Sequence, residues 1–183
     1  MNHGDLRVAV INSAQDEAGR NIRRHMEQLL TASWTFGGNG LSFGLHEVDG
    51  RLIHADGIDR EFPSDLILFI SRHTGRDPSP VLTVHVTGNL SGADLGGKPR
   101  SLPPACPSFM QAVLRELRSR APPGYAVSYE VTHHGPTELT TPSFFVEIGS
   151  TATEWSDPRA GGAVAESILA AHPANAISLV GFG

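Results

Sequence analysis

The sequence predicts an α/β fold, with a mixed, largely parallel central sheet flanked by helices. Short β-branched apolar runs alternate along the chain with amphipathic segments of helical spacing. One run, residues 66–70 (LILFI), is apolar without a break, as a strand covered on both faces must be. No internal repeat or linker divides the 183 residues, so 1–183 is expected to form one α/β domain.

The elements follow in order. Residues 6–12 (LRVAVIN) read as a buried first strand. Ser13 and Asp16 form a capping-box-like start to a helix whose Ala18, Ile22, Met26, Leu29 and Leu30 recur at helical spacing. Gly37, Gly38 and Gly40 mark a turn. Residues 41–48 (LSFGLHEV) and 51–55 (RLIHA) are alternating runs expected to pair as a hairpin around Asp49-Gly50. The central run 66–70 ends abruptly in Ser71-Arg72-His73. Residues 82–87 (LTVHVT) set Leu82, Val84 and Val86 against Thr83, His85 and Thr87, and stop at Gly88-Asn89. Residues 91–107, rich in Gly and Pro, read as a long loop of the kind that more often carries function.

Ser108 with Gln111 is expected to cap a second helix, with Phe109, Met110, Val113, Leu114 and Leu117 on its apolar face. Residues 125–132 form a strand leading into His133-His134-Gly135-Pro136, and 144–148 (FFVEI) form another. Asp157-Pro158 opens a third helix carrying Val164, Ile168 and Leu169, which stops near His172-Pro173. Residues 176–180 give a last apolar strand.

Composition excludes several classes. A hydrophobic fraction of 39% with 18% charged residues belongs to an ordinary folded protein rather than a disordered one. No apolar run approaches the roughly 20 residues of a membrane helix. The start MNHGDLRVAVINS lacks the features of a secretory signal. The single cysteine, Cys106, rules out an internal disulfide and a thiolate-built zinc site. A cytoplasmic monomer that avoids membranes is expected. The net charge of −5 argues against broad nucleic-acid binding, and DNA is not an expected partner. The clusters Arg20, Arg23, Arg24 and Arg115, Arg118, Arg120 read as solvated helix faces. GxSxG, P-loop and Rossmann fingerprints are absent, and Cys106 has no neighbouring base.

The chemistry concentrates at strand ends. His73 follows LILFI, His133 and His134 follow SYEVT, Glu147 lies within FFVEIGS, and His85 sits on the polar side of LTVHVT. In open α/β sheets ligands gather outside the carboxyl ends of strands, so parallel neighbours would bring these groups to one crevice. Imidazoles with a carboxylate suit zinc. Glu130 can orient an imidazole. Alternation along a strand would place the rings of His133 and His134 on opposite faces, allowing one of them into a shared centre. Glu147 interrupts an apolar strand, and a buried carboxylate costs several kcal/mol unless it is paired or ligates a cation. Its plain alternative is a partner for Arg72. His3, His25, His46, His54 and His172 read as ordinary surface or hydrogen-bonded residues.

Ser71-Arg72-His73, LTVHVTGN, EVTHHGPT (130–137) and FVEIGST followed by Glu154-Trp155 resemble the archaeal and plant D-aminoacyl-tRNA deacylases, in order and approximate spacing from about 65 to 180. The resemblance implies a phosphorylase/hydrolase-like α/β fold, association with zinc, and hydrolysis of the ester between a D-amino acid and the tRNA 3′ end. It marks Arg72, His73, His85, Asn89, Glu130, His133, His134 and Glu147. On these grounds His133, His134, Glu147 and Arg72 are the expected catalytic residues. His73, His85, His134 and Glu147 are the expected metal ligands. Asn89, Lys98, Arg100 and Thr132 are expected to contact the terminal nucleotides. The family continues past a strand like SLVGFG into a glycine-rich segment with histidine, so the C-terminal part of its domain is expected to be missing. Two rival readings are another zinc-dependent hydrolase, a peptidase or amidase, and a non-catalytic protein that binds tRNA ends.

Overall fold

A computed structural model of the chain describes residues 6–30, 34–37, 40–76 and 78–173. The strand expected at 176–180 lies outside the described residues. Seven strands form one sheet: β1 (Leu6–Ser13), β2 (Trp34–Gly37), β3 (Leu41–Val48), β4 (Leu66–His73), β5 (Val81–Val86), β6 (Ala126–Tyr129) and β7 (Ser143–Gly149). Their spatial order is β2-β3-β1-β4-β7-β5-β6. Strands β3, β1, β4 and β7 run parallel. Strand β5 is antiparallel to β7 and parallel to β6, and β2 is antiparallel to β3. The sheet is therefore mixed with a parallel centre, as the unbroken apolar run of β4 requires.

The helices are α1 (Glu17–Leu29), α2 (Ile58–Glu61), α3 (Pro107–Arg120), α4 (Ala152–Trp155) and α5 (Pro158–Ala170). One sheet face, with Val8, Val10, Leu68, Ile70, Val146 and Ile148, forms a large core with the apolar sides of α1, α3 and α5. The other face, with Ala9, Ile11, Ile67, Phe69 and Phe145, is covered by Leu52, Ile58 and Leu139 from short elements and loops. The three long helices thus share one side. The thinly covered side is where a cleft can open.

Three local expectations are corrected. Residues 51–55 do not pair with β3; Leu52–His54 is a 3-10 turn whose Leu52 is tucked into the second core. Strand β3 instead pairs along its full length with β1, and its antiparallel partner is β2. Ser13 belongs to β1, and the cap of α1 is Asp16, whose carboxylate accepts from the Gly19 N–H at 2.9 Å. Helix α3 starts one residue before Ser108, with Cys106 at the cap and Pro107 in the first turn, where its fixed φ and missing N–H suit a helix start. Helix α4 went unforeseen, although Thr151 and Glu154 close a capping box around it.

Candidate active site

The site is the polar continuation of the second core. Along β4 the side chains facing that core run Ile67, Phe69, Ser71, His73, and along β7 they run Phe145, Glu147, Gly149, so each strand turns from apolar to polar towards its carboxyl end. Strand β5 runs the other way, yet its register sets Thr83 opposite Glu147 and His85 opposite Phe145. His85 therefore reaches the crevice through alternation on a shared face, not from a parallel strand end. The polar side of the alternation is the side that faces the crevice; what is corrected is strand direction, since β5 is antiparallel to β7 rather than a parallel neighbour.

Glu147 is 3% exposed. Its Oε1 accepts from the Ser71 hydroxyl at 2.6 Å, and its Oε2 lies 3.7 Å from His73 Nδ1 and 3.6 Å from His85 Nε2. Arg72 is not its partner. At the end of β4, Arg72 instead lies 4.0 Å from Asp16 and 5.3 Å above the Trp155 ring. Burial pushes the Glu147 carboxyl up, but the facing His73 and His85 rings and the Ser71 hydrogen bond outweigh it and hold the group well below the usual carboxylate range. Glu130 Oε1 sits 2.8 Å from His73 Nδ1, though out of line for a well-formed hydrogen bond. Contact with Glu130 and then Glu147 raises His73 to about 10, so its ring carries a proton at neutral pH. Gly149 pairs with His73, and a Cβ there would lie 2.5 Å from the His73 ring. Only glycine leaves the ring its place.

Three other imidazoles gather beside this ionic group. Strand β6 ends at Tyr129, so His133 and His134 lie in irregular chain and strand alternation does not separate them. Both rings approach His85, with centroids at 4.9 and 4.8 Å. Each Nδ1 faces a main-chain carbonyl: Val86 at 3.0 Å for His85, Val131 at 2.8 Å for His133 and Gly135 at 2.8 Å for His134. A carbonyl can only accept, so each Nδ1 carries its hydrogen and each Nε2 is the ring nitrogen left for another partner. Burial, with the His85 charge next, lowers His134 to about 4, so its ring is neutral at physiological pH. His85 is 1% exposed and its Nε2 has no hydrogen-bond partner.

Two ligand sets result, His85–His133–His134 and His73–Glu130–Glu147, each with donor atoms within 4.8 Å of one another. The expected metal quartet is split between them. In the second set the protonated His73 ring already engages both carboxylates. The first offers three imidazoles, with the buried His85 Nε2 left without a hydrogen bond, a donor set that fits a divalent cation of zinc's ligand preference.

These groups lie at or beneath a cleft of about 520 Å³ whose lining includes Arg51, Leu52, Ile53, Arg72, Leu95 and Trp155. Asn89, Lys98, Arg100 and Thr132 do not line it. Buried Asn89 donates to the Gly96 and Lys98 carbonyls at 2.8 and 3.1 Å and so shapes the loop. Lys98 is paired with Glu138 at 2.6 Å. Sequence reasoning missed Arg51 and the Leu52–Ile53 wall, because the turn was read as a strand.

The D-aminoacyl-tRNA deacylase family model matches residues 60–183, which carry the acidic and imidazole groups of both ligand sets. The chain belongs to the D-aminoacyl-tRNA deacylase family. It is 62% identical over 181 residues to the D-aminoacyl-tRNA deacylase of Methanoculleus marisnigri, covering 97% of this chain and 41% of that relative. With the deacylase of Methanosarcina mazei it shares 38% identity, over 100% of this chain and 68% of that one. The chain thus spans less than half the length of some deacylase relatives. A crystal structure of a conserved protein of unknown function superposes with a TM-score of 0.84 at 37% identity, over 96% of this chain and 66% of that one. The catalytic domain of the N-acetylmuramoyl-L-alanine amidase CwlV, at a TM-score of 0.58 and 14% identity over 90% of this chain and 94% of its own, shares the fold alone.

Proposed function

We propose that this chain hydrolyses the ester joining a D-amino acid to the 3′ end of tRNA, releasing free D-amino acid and tRNA. The observation that carries the reading is three converging imidazoles beside a fixed carboxylate at a cleft, in a chain of the deacylase family. His85, His133 and His134 would hold zinc. When bound there, zinc would polarise the ester carbonyl and bring the pKa of a coordinated water towards ~7.

The chain's own residues supply the rest. Ser71 fixes Glu147, and Glu147 with Glu130 keeps His73 protonated beside the cleft. His73 gives its Nε2 proton to the departing 3′ oxygen as the ester C–O bond breaks, and regains one from the water that has added to the carbonyl carbon. Arg72, braced by Trp155, contacts the substrate at the cleft. Leu52, Ile53 and Leu95 form the apolar wall that admits the D side chain and rejects its mirror image by fit.

The test is deacylation of D-Tyr-tRNA by the purified chain, by chelated chain and by chelated chain given zinc. Loss on chelation, recovery with zinc and no recovery in His134→Ala are expected. Full activity in His134→Ala would remove this cluster from the reaction.

A further inference from the structure

We propose that Arg51 receives the phosphate of the terminal nucleotide, an assignment that rests on the ester-hydrolysis reading above. A chain of net charge −5 that takes a polyanion must place cations where the anion arrives. Among the described residues that line the cleft, the permanent cations are Arg51 and Arg72. Arg72 is engaged by Asp16 and Trp155. Arg51 is exposed and has no ion-pair partner among the described residues.

Its mount is rigid. Arg51 caps the Leu52–His54 turn, and its carbonyl accepts from the His54 N–H at 3.0 Å. Leu52 is buried in the second core, and the Ile53 carbonyl presses on Gly96 so closely that a Cβ there would lie 2.0 Å away. Gly96 has φ +83, so the loop meets the turn only because it lacks a side chain. A cleft of about 520 Å³ is of the size that takes an aminoacylated nucleoside, which leaves its 5′ phosphate at the rim. A guanidinium on a fixed turn can meet that phosphate through two parallel hydrogen bonds.

The experiment measures binding of tRNA carrying D-tyrosine through a non-hydrolysable 3′ amide, across a KCl series, for the wild type, Arg51→Ala and Arg51→Lys. Deacylation of D-Tyr-tRNA and of D-tyrosyl-adenosine, an ester without phosphate, is followed in parallel. Arg51→Ala is expected to weaken amide-tRNA binding about tenfold. It is also expected to flatten the plot of log affinity against log salt by about 0.7, the share of one single-strand phosphate. Arg51→Lys should keep the slope while losing affinity. The wild type's preference for the tRNA ester over D-tyrosyl-adenosine should fall at least fivefold in Arg51→Ala. Equal affinity and slope in wild type and Arg51→Ala, or no binding by the wild type, overturns the assignment. If wild-type deacylation of both D-esters persists in that case, Arg51 alone has been misassigned. If the wild type cleaves neither ester, the functional reading fails as well.

Discussion

Glu147 is an acid in a strand that is otherwise apolar and buried, and its partners explain why it is tolerated there. Ser71, His73 and His85 all face one carboxylate, so the desolvation cost is offset by contacts rather than avoided by exposure. The position was legible in the sequence because a charge in such a strand requires a partner, and His73 and His85 were expected beside it; Ser71 was not, because a hydroxyl in a strand carries no such signal. Protonated His73 gives a signed prediction. Its proton is held below pH about 10 and lost as pH rises through that value, so the high-pH limb of the deacylation profile, corrected for spontaneous hydrolysis, should fall there. Glu130→Gln removes the first cause of the shift and should move that limb to lower pH. An unmoved limb would remove His73 from the role of proton donor. Gly149→Ala should force the His73 ring aside, cutting turnover more than tenfold while costing about 1–3 kcal/mol of stability, read by single-turnover kinetics and thermal melts.

Among elements, the central strands and the long helices were readable from apolar period and capping chemistry. The cleft wall was not. Residues 51–55 alternate like a strand, but Leu52 satisfies its apolar character by packing on the sheet face from a 3-10 turn. Likewise, residues 125–132 read as strand, yet β6 stops at Tyr129, which frees both His133 and His134 to turn towards His85. The chain that follows is tied down by two aspartates. Asp56 accepts from the Thr137 and Glu138 N–H groups at 2.7 and 2.8 Å. Asp59 accepts from the Thr140 N–H and hydroxyl, both at 2.7 Å. Burial works against the Asp59 charge, but the Thr140 and Thr141 hydrogen bonds outweigh it and hold the carboxyl below its ordinary 3.8. A depressed folded value contributes stability above 3.8 that is lost as pH falls below it. Asp59→Asn should therefore cost roughly 1–3 kcal/mol at pH 7. Thermal melts of the two proteins should converge in acid below that value, and a constant gap down to pH 2 would contradict the assignment.

For the molecule as a whole, a sheet with its three long helices on one face leaves the other face to loops and short turns, and the ligand sets and cleft occupy that face. The α/β class followed from alternating strands and helices, but the reversal of β5 and β6 could not be read from their composition, because apolar period does not encode strand direction. A cation that binds the folded site and not the unfolded chain must stabilise the fold, by about 2.7 kcal/mol at a hundredfold excess over Kd. Zinc should raise the melting temperature of the wild type, and this rise should vanish in His85→Ala; an equal rise in both would place the ion elsewhere. The central claim is stereoselective ester hydrolysis by this chain. Its most direct measurement is the single-turnover rate on D-Tyr-tRNA against L-Tyr-tRNA with zinc present. The account predicts that the D-ester is cleaved at least a hundredfold faster, as rejection by fit worth about 2.7 kcal/mol would give. Equal rates on both esters, or cleavage of neither by folded protein, would contradict it.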